Sequence, residues 1–168
     1  DLPPNALILD AGCGSGRDTK AFLDMGYKVE AFDASSEMVS RASAHTGIEV
    51  NLATFNDVKD VEKYDGIWCC ASLLHVAQDE LLGTLRRLSG ALKSNGVMYV
   101  SFKHGSSQRE ADGRVFTNMN GELLSALVDQ MSSIEIHSSW ITKDSRPDRD
   151  ERWFNAILLN LQMNDITT

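Results

Sequence analysis

The stretch Leu7–Asp18 constrains the fold of this chain more than any other part of its sequence. Leu7 to Leu9 form a short apolar run typical of a strand buried on both faces, and glycines follow at positions 12, 14 and 16. Glycines permit positive φ angles and close approach of a ligand, and the first N–H groups of the helix that follows are unpaired. The stretch therefore predicts a strand, a glycine loop and a helix that together bind a nucleotide.

The spacing of these glycines limits which nucleotide the loop binds. A dinucleotide fingerprint needs its third glycine at position 17, where this chain has Arg17, and the third glycine comes one residue earlier, at Gly16. A P-loop needs a Gly-Lys-Ser/Thr ending, which the stretch lacks. The spacing therefore disfavours a nicotinamide cofactor and excludes a P-loop.

The loop Asp10-Ala-Gly-Cys-Gly-Ser-Gly16 resembles motif I of the class I S-adenosylmethionine-dependent methyltransferases. An acidic residue precedes the glycines and an apolar strand leads into them, so a tight turn without a ligand is the less favoured interpretation. The resemblance implies S-adenosylmethionine as cofactor, S-adenosylhomocysteine as product, and in-line transfer of a methyl group to a small-molecule acceptor. In such an enzyme the protein mainly supplies alignment and a dry pocket.

Composition bounds the remaining possibilities. A chain of 168 residues fits one domain, 1–168, whose last residues, 161–168, show no pattern. A net charge of -8 disfavours a large nucleic-acid surface. Three cysteines without metal-ligand spacing, and the lack of a membrane-length apolar run, predict a cytoplasmic protein without a metal. Because the chain starts close to its first strand, we expect it to lack the helices that precede motif I in the resembled family.

A second strand, Lys28–Phe32, leads into Asp33, which lies 21 residues after Gly12. A carboxylate at this position accepts hydrogen bonds from both hydroxyls of a ribose. The alternative is that Asp33 caps the next helix, for which Ser35 or Ser36 is the better cap.

Two further segments are expected at the same edge of the sheet. After strand three, Ile48–Leu52, the resemblance places Thr54 and Phe55 beside the adenine. Many relatives have an acidic residue at about Thr54, so a hydroxyl or a backbone carbonyl would replace it here. A place in the core is an equally good interpretation of Phe55. After strand four, which begins at Tyr64, the resemblance brings a third group of side chains to the methyl group: Ala71, Ser72 and His75.

His75 is the candidate catalytic residue, because an imidazole titrates near neutral pH. A structural histidine that only forms hydrogen bonds is an equally good interpretation. The full set of cofactor-binding residues implied by the resemblance is Asp10, Gly12, Gly14, Gly16, Arg17, Asp33, Ala34, Met38, Thr54, Phe55, Ala71 and Ser72.

The rest of the chain completes an α/β pattern. We predict a leucine-rich helix, a turn at Leu92–Gly96, strand five at 97–102, an exposed loop at 103–116, another helix, and strands six and seven at 134–141 and 153–159. Alternating strands and helices predict a doubly wound, Rossmann-like sheet with helices on both faces. The resemblance supplies the order 3-2-1-4-5-7-6 for seven strands, with strand seven antiparallel.

Five arginines lie in the two loops that follow strands five and six, and acidic residues are interleaved with them. One interpretation is a set of solvated ion pairs, each worth ~0–1 kcal/mol. The other is that Arg114 and Arg146 hold an anionic acceptor, because a guanidinium binds a carboxylate in bidentate fashion. Two other function classes also stay open: a module that binds the cofactor without turnover, and a nicotinamide oxidoreductase, which Arg17 disfavours.

Overall fold

The computed structural model describes residues 2–147 and 149–161, in which four helices and nine strands alternate. The helices are α1 (Arg17–Asp24), α2 (Ser36–Thr46), α3 (Leu81–Ala91) and α4 (Gly121–Val128). The strands are β1 (Leu7–Ala11), β2 (Lys28–Asp33), β3 (Asn51–Leu52), β4 (Tyr64–Cys69), β5 (Leu92–Lys103), β6 (Gln108–Ala111), β7 (Arg114–Thr117), β8 (Ile134–Lys143) and β9 (Arg152–Asn160). In the described part of the chain, no helix has the length and apolar character needed to cross a membrane. The predicted irregular tail lies outside the described residues, except for Leu161.

Seven strands form one sheet in the order β3-β2-β1-β4-β5-β9-β8. The pairs from β3 to β5 are parallel, and β9 is antiparallel to both β5 and β8. The predicted mostly parallel, seven-stranded sheet is therefore confirmed. Predicted strands six and seven carry the numbers eight and nine here, because two additional strands form a separate hairpin before them.

That hairpin corrects the prediction of an exposed loop at 103–116. β6 and β7 pair antiparallel, and Asp112 and Gly113 join them with φ angles of 53° and 72°. Two left-handed residues in an Asp-Gly pair are typical of a type I′ hairpin turn. The strands are short and mostly exposed, so they lack the alternation of apolar and polar residues that reveals a half-buried strand.

The turn predicted at Leu92–Gly96 lies within the bounds of β5, as an irregular segment in which Asn95 has a φ angle of 61°. Tyr64 pairs with Leu92, and Gly66 pairs with Val97, so the register shifts across residues 93–96. The amide Nδ2 of Asn160 donates to the carbonyls of Leu92 and Lys93, at 3.1 Å each, and holds this irregular segment. Predicted strand three, Ile48–Leu52, is shorter in the structure, where β3 contains only Asn51–Leu52.

Two apolar clusters cover opposite faces of the sheet. In β2, Ala31 belongs to the cluster that includes Ala42 of α2, and its neighbour Phe32 belongs to the larger cluster that includes α3 and α4. Consecutive strand residues point to opposite faces, so helices lie on both faces, as predicted. The leucine stripe of α3 is fully buried in the larger cluster, at Leu81, Leu85 and Leu88.

Candidate functional site

The glycine loop after β1 is fixed to the end of β2 by backbone hydrogen bonds. The N–H groups of Gly12 and Cys13 both donate to the carbonyl of Phe32, at 3.0 and 2.9 Å. Gly12 and Gly14 have φ angles of 80° and 56°. A Cβ on Gly14 would meet no heavy atom within 4 Å among the described residues, so the loop leaves open space above it. This is the approach that a backbone-bound ligand needs.

Gly16 has a different structural reason to be glycine. It precedes α1 with a φ of 85°, and a Cβ there would lie 2.9 Å from Thr46 Cγ2 and 3.1 Å from Ala42. Gly16 therefore lets α1 pack closely on α2, and its contact with a cofactor stays a prediction. Arg17 is largely exposed and pairs with Asp18, with 2.8 Å between Nε and Oδ1.

Asp33, at the end of β2, uses both carboxylate oxygens to organise the loop. Oδ2 accepts from the N–H of Gly14, and Oδ1 accepts from the N–H of Ser35, both at 2.9 Å. Ser35 is the N-cap of α2, with its hydroxyl oxygen accepting from the N–H of Met38 at 3.4 Å. The capping role thus belongs to Ser35. Asp33 keeps further lone pairs for a ribose, since each carboxylate oxygen has two acceptor sites.

Asp10 lies below the loop and is only 2% exposed. Its Oδ2 accepts from the hydroxyl of Thr19 in the first turn of α1, at 2.6 Å. Burial raises the pKa of Asp10 to about 6, and the hydrogen bond from Thr19 opposes part of that rise. Asp10 therefore connects the end of β1 to α1, and its interaction with a cofactor stays a prediction.

The segment after β4 lies against the glycine loop. A Cβ on Gly12 would lie 2.5 Å from Ser72 Cβ and 3.2 Å from Ser72 Oγ. This Oγ is buried and has no hydrogen-bond partner among the described residues. The preceding residue, Ala71, has a φ of 52°, and its N–H donates to Ser101 Oγ at 2.8 Å. A buried unpaired hydroxyl beside a strained residue and an open loop is typical of a ligand site.

Two residues after β3, Thr54 and Phe55, already have contacts within the protein. The N–H and hydroxyl of Thr54 both donate to Asp57 Oδ2, at 2.8 and 2.9 Å, in a capping box that starts a 3₁₀ turn. Phe55 packs edge-on against Phe32 at 5.6 Å and contacts the core. The core interpretation of Phe55 is therefore supported. Sequence analysis missed Asp57, which the Thr-x-x-Asp spacing could have revealed.

Two more predicted cofactor-binding residues lie on either side of the N-terminus of α2. Ala34 is exposed and Met38 is half-buried.

His75 lies in a 3₁₀ turn after β4 and contacts the hairpin. Its Nδ1 is 3.1 Å from the carbonyl oxygen of Val115, and its ring packs edge-on against Phe116 at 5.1 Å. Because a carbonyl only accepts, Nδ1 carries the hydrogen, and Nε2 of the neutral ring is then an acceptor. His75 therefore has a structural contact on one side of its ring and an available base on the other.

Comparison with known proteins identifies the family of this fold and loop. The family described as "Methyltransferase domain" matches residues 8–96, just over half of the chain. The chain belongs to this family. A ubiquinone biosynthesis O-methyltransferase of Xanthomonas campestris is 30% identical over 106 residues, which are 58% of this chain and 43% of that protein. An N-terminal Xaa-Pro-Lys N-methyltransferase 1 of Xenopus tropicalis is 30% identical over 106 residues, 57% and 46% of the two chains.

Solved structures share the fold of this methyltransferase domain. The 1,6-didemethyltoxoflavin-N1-methyltransferase of Burkholderia thailandensis, with S-adenosylhomocysteine bound, superposes with a TM-score of 0.80 at 21% identity, covering 95% of this chain and 72% of that one. A Methanosarcina mazei S-adenosylmethionine-dependent methyltransferase gives 0.81 at 16% identity, with 95% and 94% covered. These likenesses show the fold. The chain spans less than half the length of the two curated relatives.

Arg114 and Arg146, the two arginines predicted to hold an acceptor, have different surroundings in the methyltransferase domain. Arg146 forms a bidentate pair with Asp144, with Nε–Oδ1 at 2.9 Å and Nη2–Oδ2 at 2.5 Å. This pair holds the pKa of Asp144 well below its usual range. This geometry supports the ion-pair interpretation of Arg146. Arg114 is exposed at the first position of β7, beside the hairpin turn.

A cleft of about 370 Å³ lies at the edge of the sheet where β5 ends and β9 begins. The glycine loop after β1 lies at this edge too. The cleft contains charged residues that sequence analysis did not single out as a site. Their common location, at the ends of β5 and β9 and on the hairpin, could not be read from the sequence, because the hairpin itself was missed. The cleft is lined by Lys103, His104, Arg109, Asn118, Asp150, Glu151 and Arg152.

Proposed function

We propose that this domain binds S-adenosylmethionine and transfers its methyl group to a small-molecule acceptor by in-line displacement. The observation that carries the proposal is the open glycine loop. Asp33 fixes this loop from one side, and on the other side the loop contacts Ser72, whose buried hydroxyl has no hydrogen-bond partner in the part of the chain that the structure describes. The family match supports it, as does the S-adenosylhomocysteine bound in the Burkholderia enzyme.

The residues at the loop fit the parts of this cofactor. Asp33 accepts the two ribose hydroxyls in charge-assisted hydrogen bonds, because a carboxylate already fixed by Gly14 and Ser35 loses little freedom on binding. Gly12 and Gly14 let the backbone approach the ligand, and the Ser72 hydroxyl gains its missing partner. Thr54 and Phe55 flank the adenine by family resemblance.

The protein's part in the reaction is alignment and proton removal. When bound, S-adenosylmethionine supplies a methyl group that is already activated. Ala71 and Ser72 hold the acceptor side of the pocket in a fixed position, and positioning alone contributes roughly 7–11 kcal/mol to such a transfer. His75 accepts the acceptor's proton at Nε2, while its Nδ1 stays hydrogen-bonded to Val115.

The class of acceptor is the less specified part of the proposal. The curated relatives are named for ubiquinone biosynthesis and for an N-terminal Xaa-Pro-Lys sequence, and the Burkholderia enzyme is named for 1,6-didemethyltoxoflavin, which is bound in its structure. A cleft of about 370 Å³ beside the site has the size of a small-molecule pocket, which favours the last kind of acceptor.

Calorimetric titration with S-adenosylhomocysteine and with NAD tests the cofactor. Binding of the first without the second supports the proposal, and preferential binding of NAD would instead favour an oxidoreductase. Mass spectrometry of co-purified ligands and a radiolabelled methyl-transfer screen of small molecules then test turnover. Binding of S-adenosylhomocysteine without transfer to any acceptor in the screen would favour the non-catalytic module.

A further inference from the structure

The cleft lies where three elements end at one edge of the sheet. Lys103 ends β5, Arg152 begins the antiparallel β9, and Arg109 lies in the hairpin strand β6. The backbone fixes this arrangement, because the N–H of His104 donates to the carbonyl of Arg152 at 2.9 Å. The three basic side chains therefore come from elements that are held rigidly against each other.

The charges in the cleft are not balanced pair by pair. Lys103 is neutralised by Glu151, with 2.5 Å between Nζ and Oε1, and Arg149 approaches the other oxygen of Glu151 at 3.6 Å. Arg109 and Arg152 have no carboxylate within 4 Å among residues 2–147 and 149–161. Asp150 also lines the cleft and has no cation within 4 Å among the described residues, so the lining holds three formal positive charges, on Lys103, Arg109 and Arg152, and two negative ones, on Asp150 and Glu151. In a chain of net charge -8, this local excess of positive charge favours an anion at the two guanidinium groups.

Arg109 is also connected to the candidate methyl-transfer site. Its guanidinium lies over the ring of Phe116, 4.6 Å from the centroid, and the same ring packs edge-on against His75. The hairpin is fixed to the segment after β4 by two more hydrogen bonds, from Thr117 Oγ1 to the Val76 carbonyl and from the Gln78 N–H to Gln108 Oε1, both 2.7 Å. The hairpin thus forms a wall shared by the cleft and by His75.

The Phe116 ring limits the distance between Arg109 and His75. The Arg109 guanidinium is 4.6 Å from the centroid of this ring, and the His75 ring is 5.1 Å from the same centroid. The Arg109 guanidinium and the His75 ring are therefore no more than about 10 Å apart. A single small molecule can therefore reach from one to the other.

We propose that this cleft binds a carboxylate of the methyl acceptor, held by Arg109 and Arg152, with the atom to be methylated beside His75, within about 10 Å of the Arg109 guanidinium. The inference rests on the proposed function, whose site it extends. A planar guanidinium binds a carboxylate through two parallel hydrogen bonds, which the ammonium of a lysine cannot do. Arg109 and Arg152 replace Arg114 and Arg146 as the anion-binding pair.

Binding of benzoate and of neutral benzamide, which have nearly the same shape, tests the cleft without requiring turnover. Nuclear magnetic resonance of the arginine Nε–H groups reports which side chains respond. We expect saturable shifts at Arg109 and Arg152 with benzoate only, and a rise in the benzoate Kd of about fivefold or more in Arg109→Gln and in Arg152→Gln. Arg41→Gln, on exposed α2, is the control and should bind benzoate like the parent protein.

Titration of the same samples with S-adenosylhomocysteine separates the two proposals. If S-adenosylhomocysteine binds but benzoate does not, or if benzamide binds equally well, the anionic cleft is wrong and the methyltransferase assignment is unaffected. Benzoate binding that persists in both glutamine variants would also overturn it. If S-adenosylhomocysteine fails to bind to the parent protein, the proposed function itself is wrong.

Discussion

The Cβ that Gly12 lacks would lie 2.5 Å from the Cβ of Ser72, so the glycine loop and the end of β4 are in direct contact. Gly12→Ala should therefore both clash and strain a residue with a φ of 80°. We expect the free energy of unfolding to fall by about 2 kcal/mol or more, and the Kd for S-adenosylhomocysteine to rise by about tenfold or more. Denaturant unfolding and calorimetry measure the two effects.

Gly26→Ala is the matched control for this change. Gly26 also has a positive φ, of 89°, but a Cβ there meets nothing within 4 Å among the described residues. This variant should lose roughly 1 kcal/mol of stability and keep the parent affinity. Equal losses of affinity in the two variants would mean that backbone strain, and not the contact with Ser72, lowers the affinity for S-adenosylhomocysteine.

Ser72→Ala should separate stability from binding. The hydroxyl of Ser72 is buried without a partner among the described residues, so its removal should leave stability unchanged or raise it by about 1 kcal/mol. The affinity for S-adenosylhomocysteine should fall, by about threefold to tenfold, because the ligand loses a hydrogen bond. Ser89→Ala removes a hydroxyl that donates to the Arg86 carbonyl at 2.9 Å, and it should lower stability without changing affinity. Unchanged affinity in Ser72→Ala would remove Ser72 from the site.

Asp33→Ala should weaken binding of S-adenosylmethionine and S-adenosylhomocysteine by about 1.5–3 kcal/mol, because charge-assisted hydrogen bonds to the ribose are lost. The variant also loses the acceptor for the Gly14 and Ser35 N–H groups, so a thermal melt must accompany the calorimetry. Ser35→Ala removes the cap of α2 alone and should lower stability while leaving affinity intact. An Asp33→Ala variant that bound like the parent would contradict the ribose assignment.

The sheet and the loop could be predicted because their signals are local. Leu7–Leu9 and the glycines specify a buried strand and a turn within ten residues, and the stripe of Leu81, Leu85 and Leu88 specifies a helix face. Family resemblance supplied the strand order, which no local pattern encodes. The confirmed elements are those in which apolar residues recur along the sequence with the period of a helix or form a continuous run typical of a buried strand.

The missed features depend on contacts between distant or exposed residues. The hairpin of β6 and β7 buries little, so its side chains carry no apolar period, and only Asp112-Gly113 marks it. The packing role of Gly16 depends on α2, some thirty residues later. The pairing of Arg146 with Asp144 supports one of the two interpretations that the sequence left open.

Asp10 should make the protein less stable as the pH rises. Burial raises its pKa from 3.8 in the unfolded chain to about 6, so the native state binds more protons than the unfolded state between these values. The contribution is fully present near pH 4 and is lost as the pH passes through about 6, with a total on the order of 2–3 kcal/mol.

Asp10→Asn should remove this dependence and keep an acceptor for the Thr19 hydroxyl. Above pH 7 the variant should be more stable than the parent, and below pH 4 the two should be alike, as measured by urea unfolding across the pH range. Its affinity for S-adenosylmethionine should nevertheless fall, because the negative charge beneath the loop is gone. Parallel stability curves for the two proteins from pH 4 to 7 would show that Asp10 is not the titrating group.

His75→Asn should distinguish catalysis from structure. An asparagine amide can occupy the place of Nδ1 and still donate to the Val115 carbonyl, but it has no group at the position of Nε2. With an acceptor identified by the methyl-transfer screen, we expect kcat to fall by about tenfold or more, with stability and S-adenosylhomocysteine affinity unchanged. His45→Asn, at the exposed end of α2, is the control and should behave like the parent.

The comparison with His75→Ala completes this test, because alanine removes both the base and the contact with the hairpin. If the imidazole only anchors the hairpin, His75→Asn should retain activity and His75→Ala should lose both activity and stability. If Nε2 removes the acceptor's proton, both variants should lose kcat to a similar extent. Unchanged kinetics in both variants would exclude His75 from the active site.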